Sequence, residues 1–221
     1  IGDMLAALGD PAGALTRYQK AIGICEQLVA RDPANRRWQR ELARNRFKLG
    51  DALLSQERSG PALPPLGAAV TAMRRLTEAD PSDAGWQRDL AEMREGYGRA
   101  LVANGRLALA SAESDAALQI AGALLKSDPD DRFAVRVLSL SHLLHARVWA
   151  AQRQTSLAAR AAKQALATIE PIGSTSEDYR MLEVWVLALL QLRRPDDALP
   201  VVRKLQGLGY RNPAFLQHVT N

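Results

Sequence analysis

Cysteine occurs once in the 221 residues, at Cys25, which excludes an internal disulfide and a cysteine-based zinc site. Its place in an apolar helical pattern reads as a small buried side chain and not as a nucleophile. Long hydrophobic runs are also missing. The longest apolar candidate, Val184 to Leu190, is broken by Gln191 and Arg193, well short of the roughly 18 to 20 residues that a membrane span needs. The first residues, Ile1-Gly2-Asp3-Met4, have neither the basic start nor the cleavage region of a secretory signal. A cytoplasmic location is the expectation, with the periplasm left open. No glycine-rich phosphate loop and no His-Arg-Asp catalytic loop occurs, and no Ser/His/Asp or paired-carboxylate set has distinctive spacing. An enzyme is therefore not expected, nor any cofactor.

What is present is enough apolar material for a continuous core: 47% hydrophobic and 24% charged residues, the balance of one folded domain over residues 1–221 and not of a disordered tail. The net charge of +5 is concentrated in one window. Between positions 31 and 48, Arg31, Arg36, Arg37, Arg40, Arg44, Arg46 and Lys48 face only Asp32 and Glu41. The remainder is close to neutral, so the chain has one basic stripe and is not generally basic.

An internal repeat organises the sequence. Asp32-Pro33 through Trp38-Gln39-Arg40-Glu41-Leu42 recurs 48 residues later as Asp80-Pro81 through Trp86-Gln87-Arg88-Asp89-Leu90, and more faintly from Asp128-Pro129 to Leu138. At the same offset Gly2, Gly50, Gly98 and Ala146 form a column. Ala14, Ala62, Ala110 and Ala158 form a second, Ala21, Ala69, Ala117 and Ala165 a third, and Ile22, Val70, Leu118 and Leu166 a fourth. Small residues at these spacings describe a helix hairpin whose two backbones approach closely. Glycine costs a helix on the order of 1 kcal/mol relative to alanine, so its recurrence implies that packing offsets the loss. Asp-Pro ends each second helix. Ala, Leu, Arg, Glu and Gln fill the segments between, and strand-like β-branched runs are absent. The pattern predicts helices near 1–8, 11–31, 35–56, 60–79, 83–104, 107–127, 131–153, 155–170, 176–193 and 196–207, with residues 208–221 as a C-terminal cap. Pro61, Pro64 and Pro65 mark the one disturbed helix start.

Gly, twelve residues on Ala, and seven further on Ala resembles the tetratricopeptide signature over nearly the whole chain. The resemblance implies an all-α solenoid of antiparallel helix hairpins, about four to five units, with Ile1 falling in the middle of a first helix. The unit is 48 residues against a usual 34, the extra length lying around Asp-Pro and Trp-Gln-Arg. Pro171, six residues after Ala165, returns the fourth unit to near-standard length, and a weaker fifth runs through Leu182, Trp185, Leu189 and Ala198. Long units of this kind resemble the repeat regions of bacterial signalling proteins, serine/threonine kinases included. The ending Leu208-Gly209-Tyr210-Arg211-Asn212-Pro213-Ala214-Phe215 resembles the close of such regions. The implied role is the non-catalytic docking or regulatory part of a larger protein.

In that family the first helix of each unit lines a concave groove. The register then places Arg44, Phe47, Lys48, Asp51 and Leu54 of the second unit in it, with Glu92, Glu95 and Arg99 of the third. Leu143 and Arg147 follow from the fourth unit, and Arg180 and Glu183 from the fifth. The expected partner is a protein or peptide, bound by shape and charge; self-association, or spacing of two flanking domains, is the alternative. The family's clamp for C-terminal carboxylates wants Lys and Asn at columns filled here by Phe47 and Asp51, Glu95 and Arg99, and Leu143 and Arg147. As exposed groove charges, Arg99 and Arg147 are expected to be dispensable for stability.

Three other features read as structural. His142 and His145, spaced i, i+3, lack a third metal ligand and sit at large core columns, so satisfied core histidines are expected and no metal. Trp38 and Trp86 head helical apolar series and read as core. Several arginines of the basic stripe share a helical face, which is what phosphate neutralisation requires. The near-neutral remainder and the lack of interleaved exposed aromatics disfavour nucleic acid as the partner.

Overall fold

The computed structural model describes residues 2–7, 10–210 and 215. Ten helices follow one another: α1 (Gly2–Ala7), α2 (Pro11–Arg31), α3 (Arg36–Leu54), α4 (Ser59–Ala79), α5 (Ala84–Ala103), α6 (Leu107–Ser127), α7 (Arg132–Ala151), α8 (Thr155–Gly173), α9 (Tyr179–Gln191) and α10 (Pro195–Gly207). No strand occurs among the described residues. Each helix packs on its neighbours in sequence, and the odd-numbered helices also touch in series, α3 on α5, α5 on α7 and α7 on α9. That is an α-solenoid of helix hairpins. Among the described residues no helix is long and apolar enough to cross a membrane.

Two local devices, repeated along the chain, set this path. Between units, Asp-Pro opens a tight turn: Asn35, Asp83 and Asp131 donate their N–H groups to the carbonyls of Asp32, Asp80 and Asp128 (3.2, 3.4 and 3.1 Å). The same Asn or Asp then caps the next helix, accepting from Trp38 N–H (3.2 Å), Trp86 N–H (2.8 Å) and Ala134 N–H (3.0 Å). Within the hairpins α3–α4, α5–α6, α7–α8 and α9–α10 the first helix ends in a left-handed residue, Glu57, Gly105, Arg153 and Arg193 in turn. The following N–H reaches back five residues, Arg58 to Leu53, Arg106 to Leu101, Gln154 to Trp149 and Arg194 to Leu189 (2.8–3.0 Å). Both devices are local, and so they are written in the sequence.

The glycine column lets the two helices of a hairpin touch. A Cβ on Gly2 would meet the Tyr18 ring at 2.6 Å, and one on Gly50 would run into Leu66, which lies between Ala62 and Ala69. The partner sixteen residues on changes along the chain: Tyr18, Leu66, Ser114, Ala162. Opposite Gly98 the smaller Ser114 leaves room that Leu144 fills from α7, while the buried Ser114 hydroxyl donates to Ser141 O (2.8 Å). Core volume is thus conserved by a neighbour from the next unit.

Proline bends the expectations in two places. α4 runs through Pro64 and Pro65, and α8 continues through Pro171 to Gly173, three residues past its expected end. The carbonyls deprived of a donor belong to Gly60, Pro61 and Ala167, all exposed, so water replaces the missing bonds. Trp38, Trp86 and Cys25 are half-buried and not core. Trp86 packs on the cluster around Met73 and carries Arg36 on its face at 6.0 Å, and Asn45 Nδ2 lies 3.8 Å from Cys25 Sγ. The expected cap over 208–221 lies largely outside the described residues; within them, Tyr210 is buried, stacked on Tyr179 (5.3 Å) and met edge-on by Phe215 (5.5 Å).

Candidate functional site

A groove of about 500 Å³ runs across the odd-numbered helices α3, α5, α7 and α9. Ten of the twelve residues expected there line it: Phe47, Asp51 and Leu54; Glu92, Glu95 and Arg99; Leu143 and Arg147; Arg180 and Glu183. Arg44 and Lys48 do not. Glu41 holds Arg44 along its own helix (3.7 Å), and Lys48 turns away to pair with Asp3 on α1. Arg136, Leu140, Leu187 and Phe215 are among the further lining residues that were not expected. Leu140 shares a column with Arg44 and Glu92, and Arg136 one with Arg40 and Arg88, so the repeat could have found both. Phe215 lies outside the register and leaves no such signal.

Glycine shapes one wall. A Cβ on Gly96 would meet Phe47 at 2.6 Å, so its absence lets the Phe47 ring lie against α5.

The charges are arranged by column. Asp51, Arg99 and Arg147 are equivalent positions, and one turn earlier stand Phe47, Glu95 and Leu143. Arg99 therefore has a carboxylate on each side: its Nη2 donates to Asp51 Oδ1 (2.7 Å) and its Nε lies 3.0 Å from Glu95 Oε1. Glu95 is only 2% exposed. Burial would lower the Arg99 pKa, but Glu95 and Asp51 outweigh it and hold the guanidinium firmly charged. This is a partly buried ion network, not the exposed charge the sequence led one to expect, and removing Arg99 would strand Glu95.

Arg147 is placed differently. Leu143 replaces the carboxylate one turn back and Arg99, a cation, occupies the neighbouring unit. Burial and the Arg99 charge push its pKa down, with Glu95 opposing. Across the groove, Glu183 is pushed up by burial and by Asp51, against a hydrogen bond from Tyr210 and the charges of Arg99 and Arg136. Arg136 Nη2 donates to Glu92 Oε1, and Arg180 is held by Asp178, the cap of its own helix (2.7 Å).

The two histidines stand apart from the groove. His142 and His145 are half-buried, and burial followed by the His145 charge lowers the His142 pKa. His145 Nε2 lies 3.3 Å from Asp115 Oδ1 without a hydrogen bond, so the expected satisfaction of this histidine is not met. No group of three or more His, Cys, Asp or Glu suited to a metal occurs among the described residues. In the basic stripe, Arg40 donates to Asp89 (2.6 Å) and Arg46 pairs with Glu26 (2.9 Å), besides the pairs of Arg44 and Lys48.

No protein-family model and no curated protein matches the sequence. Among solved structures the chain is similar to that titled "Crystal structure of MamA", at 17% identity, 95% of this chain and 94% of that chain covered, and a TM-score of 0.36. At that level of superposition the likeness adds nothing to the fold read from the helices themselves.

Proposed function

We propose that the chain is a non-catalytic scaffold whose groove docks a peptide or helix of a partner protein, or of another domain of the same polypeptide. The observation that supports this reading is the composition of the groove wall. Four successive units contribute apolar surface, Phe47, Leu54, Leu140 and Leu187 among it, interspersed with charges fixed by one another. Such a wall offers pockets for apolar side chains and oriented charges for register, the two needs of peptide recognition. Its carboxylates Asp51, Glu95 and Glu92 are paired with arginines, an arrangement for recognition more than for proton transfer. The length of the repeat unit favours the docking or regulatory part of a bacterial signalling protein as its setting. The basic stripe supports nucleic-acid binding less well, because most of its charges already have partners and would release few counterions.

The test uses pools of short, terminally blocked peptides of degenerate sequence, read by fluorescence anisotropy. Leu140→Lys places an unpaired charge on the half-buried groove wall, and it is expected to abolish pool binding while helicity stays unchanged. Binding that survives Leu140→Lys, or no binding by any pool, would sink the reading. An oligonucleotide that binds the parent and is lost on Arg31→Glu with Arg37→Glu would move the function to the stripe.

A further inference from the structure

Arg147 lines two hollows at once: the groove, and an adjoining one of about 310 Å³ walled by Leu187, Leu190, Gln191 and Arg193. None of the described residues lining the second hollow is acidic. Two arginines and an amide therefore converge on a space rimmed by two leucines. Among the described residues neither the Arg147 nor the Arg193 side chain has an ion pair or hydrogen bond. The Arg147 cation is half-buried and feels the charge of Arg99, a second guanidinium that its own carboxylates already satisfy. Arg193 sits at the left-handed residue ending α9, with φ of 56°, a conformation that fixes where its Cβ projects from the turn.

Arg193 is exposed, whereas the half-buried Arg147 charge without a counterion is unfavourable in the free protein and becomes favourable when an anion arrives. We propose that this hollow is an anion subsite of the groove, in which Arg147, Arg193 and the Gln191 amide receive the anionic oxygens of an acidic side chain on the docked peptide. Leu187 and Leu190 flank the aliphatic stem of that side chain. The subsite rests on the docking reading above and adds the partner's chemistry: an acidic peptide, with a carboxylate or a phosphate as the group received. Arg147 stands in a column of the family's carboxylate clamp, but Arg193, from the turn after α9, does not, and the subsite receives a side chain, not a chain terminus.

Terminal blocking of the peptides removes the terminal carboxylate, so three pools that differ at one fixed position, Glu, phosphoserine or Gln, isolate the side chain. The parent is expected to bind the Glu or phosphoserine pool about tenfold tighter than the Gln pool, the worth of one charge-assisted hydrogen bond. Preference for the Glu pool identifies a carboxylate, and preference confined to phosphoserine identifies a phosphate. Arg193→Gln, outside the groove lining, is expected to remove most of that preference and to leave binding of the Gln pool unchanged; Arg147→Gln is expected to remove the preference as well, with unchanged helicity showing that it is folded. Equal binding of all pools by the parent, or a preference that persists in the double variant, overturns the subsite while leaving the groove in place. Failure of every pool to bind overturns both.

Discussion

Glu183 and Arg99 show how two charged groups lining one groove can meet opposite electrostatic surroundings. Arg99 is charged because two carboxylates surround it, whereas Glu183 gains too little from Tyr210, Arg99 and Arg136 to offset its burial. A carboxyl whose folded pKa is raised binds more protons folded than unfolded, so stability falls as pH rises from the ordinary carboxylate range through the folded value. Glu183→Gln keeps a hydrogen-bonding partner for Tyr210 and removes the titration. The variant is expected to melt higher than the parent at neutral pH, with the two curves converging in acid; a variant that melts lower at every pH would contradict the buried-carboxyl reading. Nothing in the spacing of charged residues shows this, since Glu183 reads in the sequence as a groove acid like Glu92.

At the scale of the element, the turns between units carry more than their local caps. Asp83 and Asp131 occupy equivalent cap positions, accepting from Trp86 N–H and Ala134 N–H. Asp131 also accepts from Arg88 Nε of the preceding odd-numbered helix (2.8 Å) and is 7% exposed. Asp83→Ala is therefore expected to cost about 1 kcal/mol, the usual worth of a cap. Asp131→Ala loses the cap and leaves Arg88 without its partner, and should cost more. Urea midpoints of the two variants test the order, and equal costs would mean that the cross-helix bond contributes nothing. The helix segments themselves were legible to within a few residues because their start and stop signals act over three to five positions. The prolines misled where the carbonyls they deprive face water, a property of burial and not of spacing.

For the whole molecule, the junctions between units are the sensitive points. A Cβ on Gly98 would run into the end of Leu144 and lie 3.6 Å from Ala110 O, so this position joins α5, α6 and α7. Gly98→Leu is expected to cost about 1 to 3 kcal/mol by overpacking. Because the contact spans two units, the loss should appear as a lower urea midpoint for the whole transition; an unchanged midpoint would refute the packing described here.

The sequence by itself determined the helices, their Asp-Pro turns and the columns of small residues, because each depends on bonds and contacts within one hairpin or one turn. It also specified ten groove-lining positions, since a regular repeat returns the same face of each first helix to the same side. Only the tertiary structure decided how the charges pair. Arg40 with Asp89, Arg88 with Asp131, Arg99 with Asp51 and Lys48 with Asp3 join residues 49, 43, 48 and 45 positions apart. Whether such pairs form depends on the rotation and offset of one unit against the next, which arise from packing across the junction. The same offset brings Leu144 into the space beside Gly98, ties Arg99 to Asp51, and sets Arg147 beside Arg99 with no carboxylate to meet it.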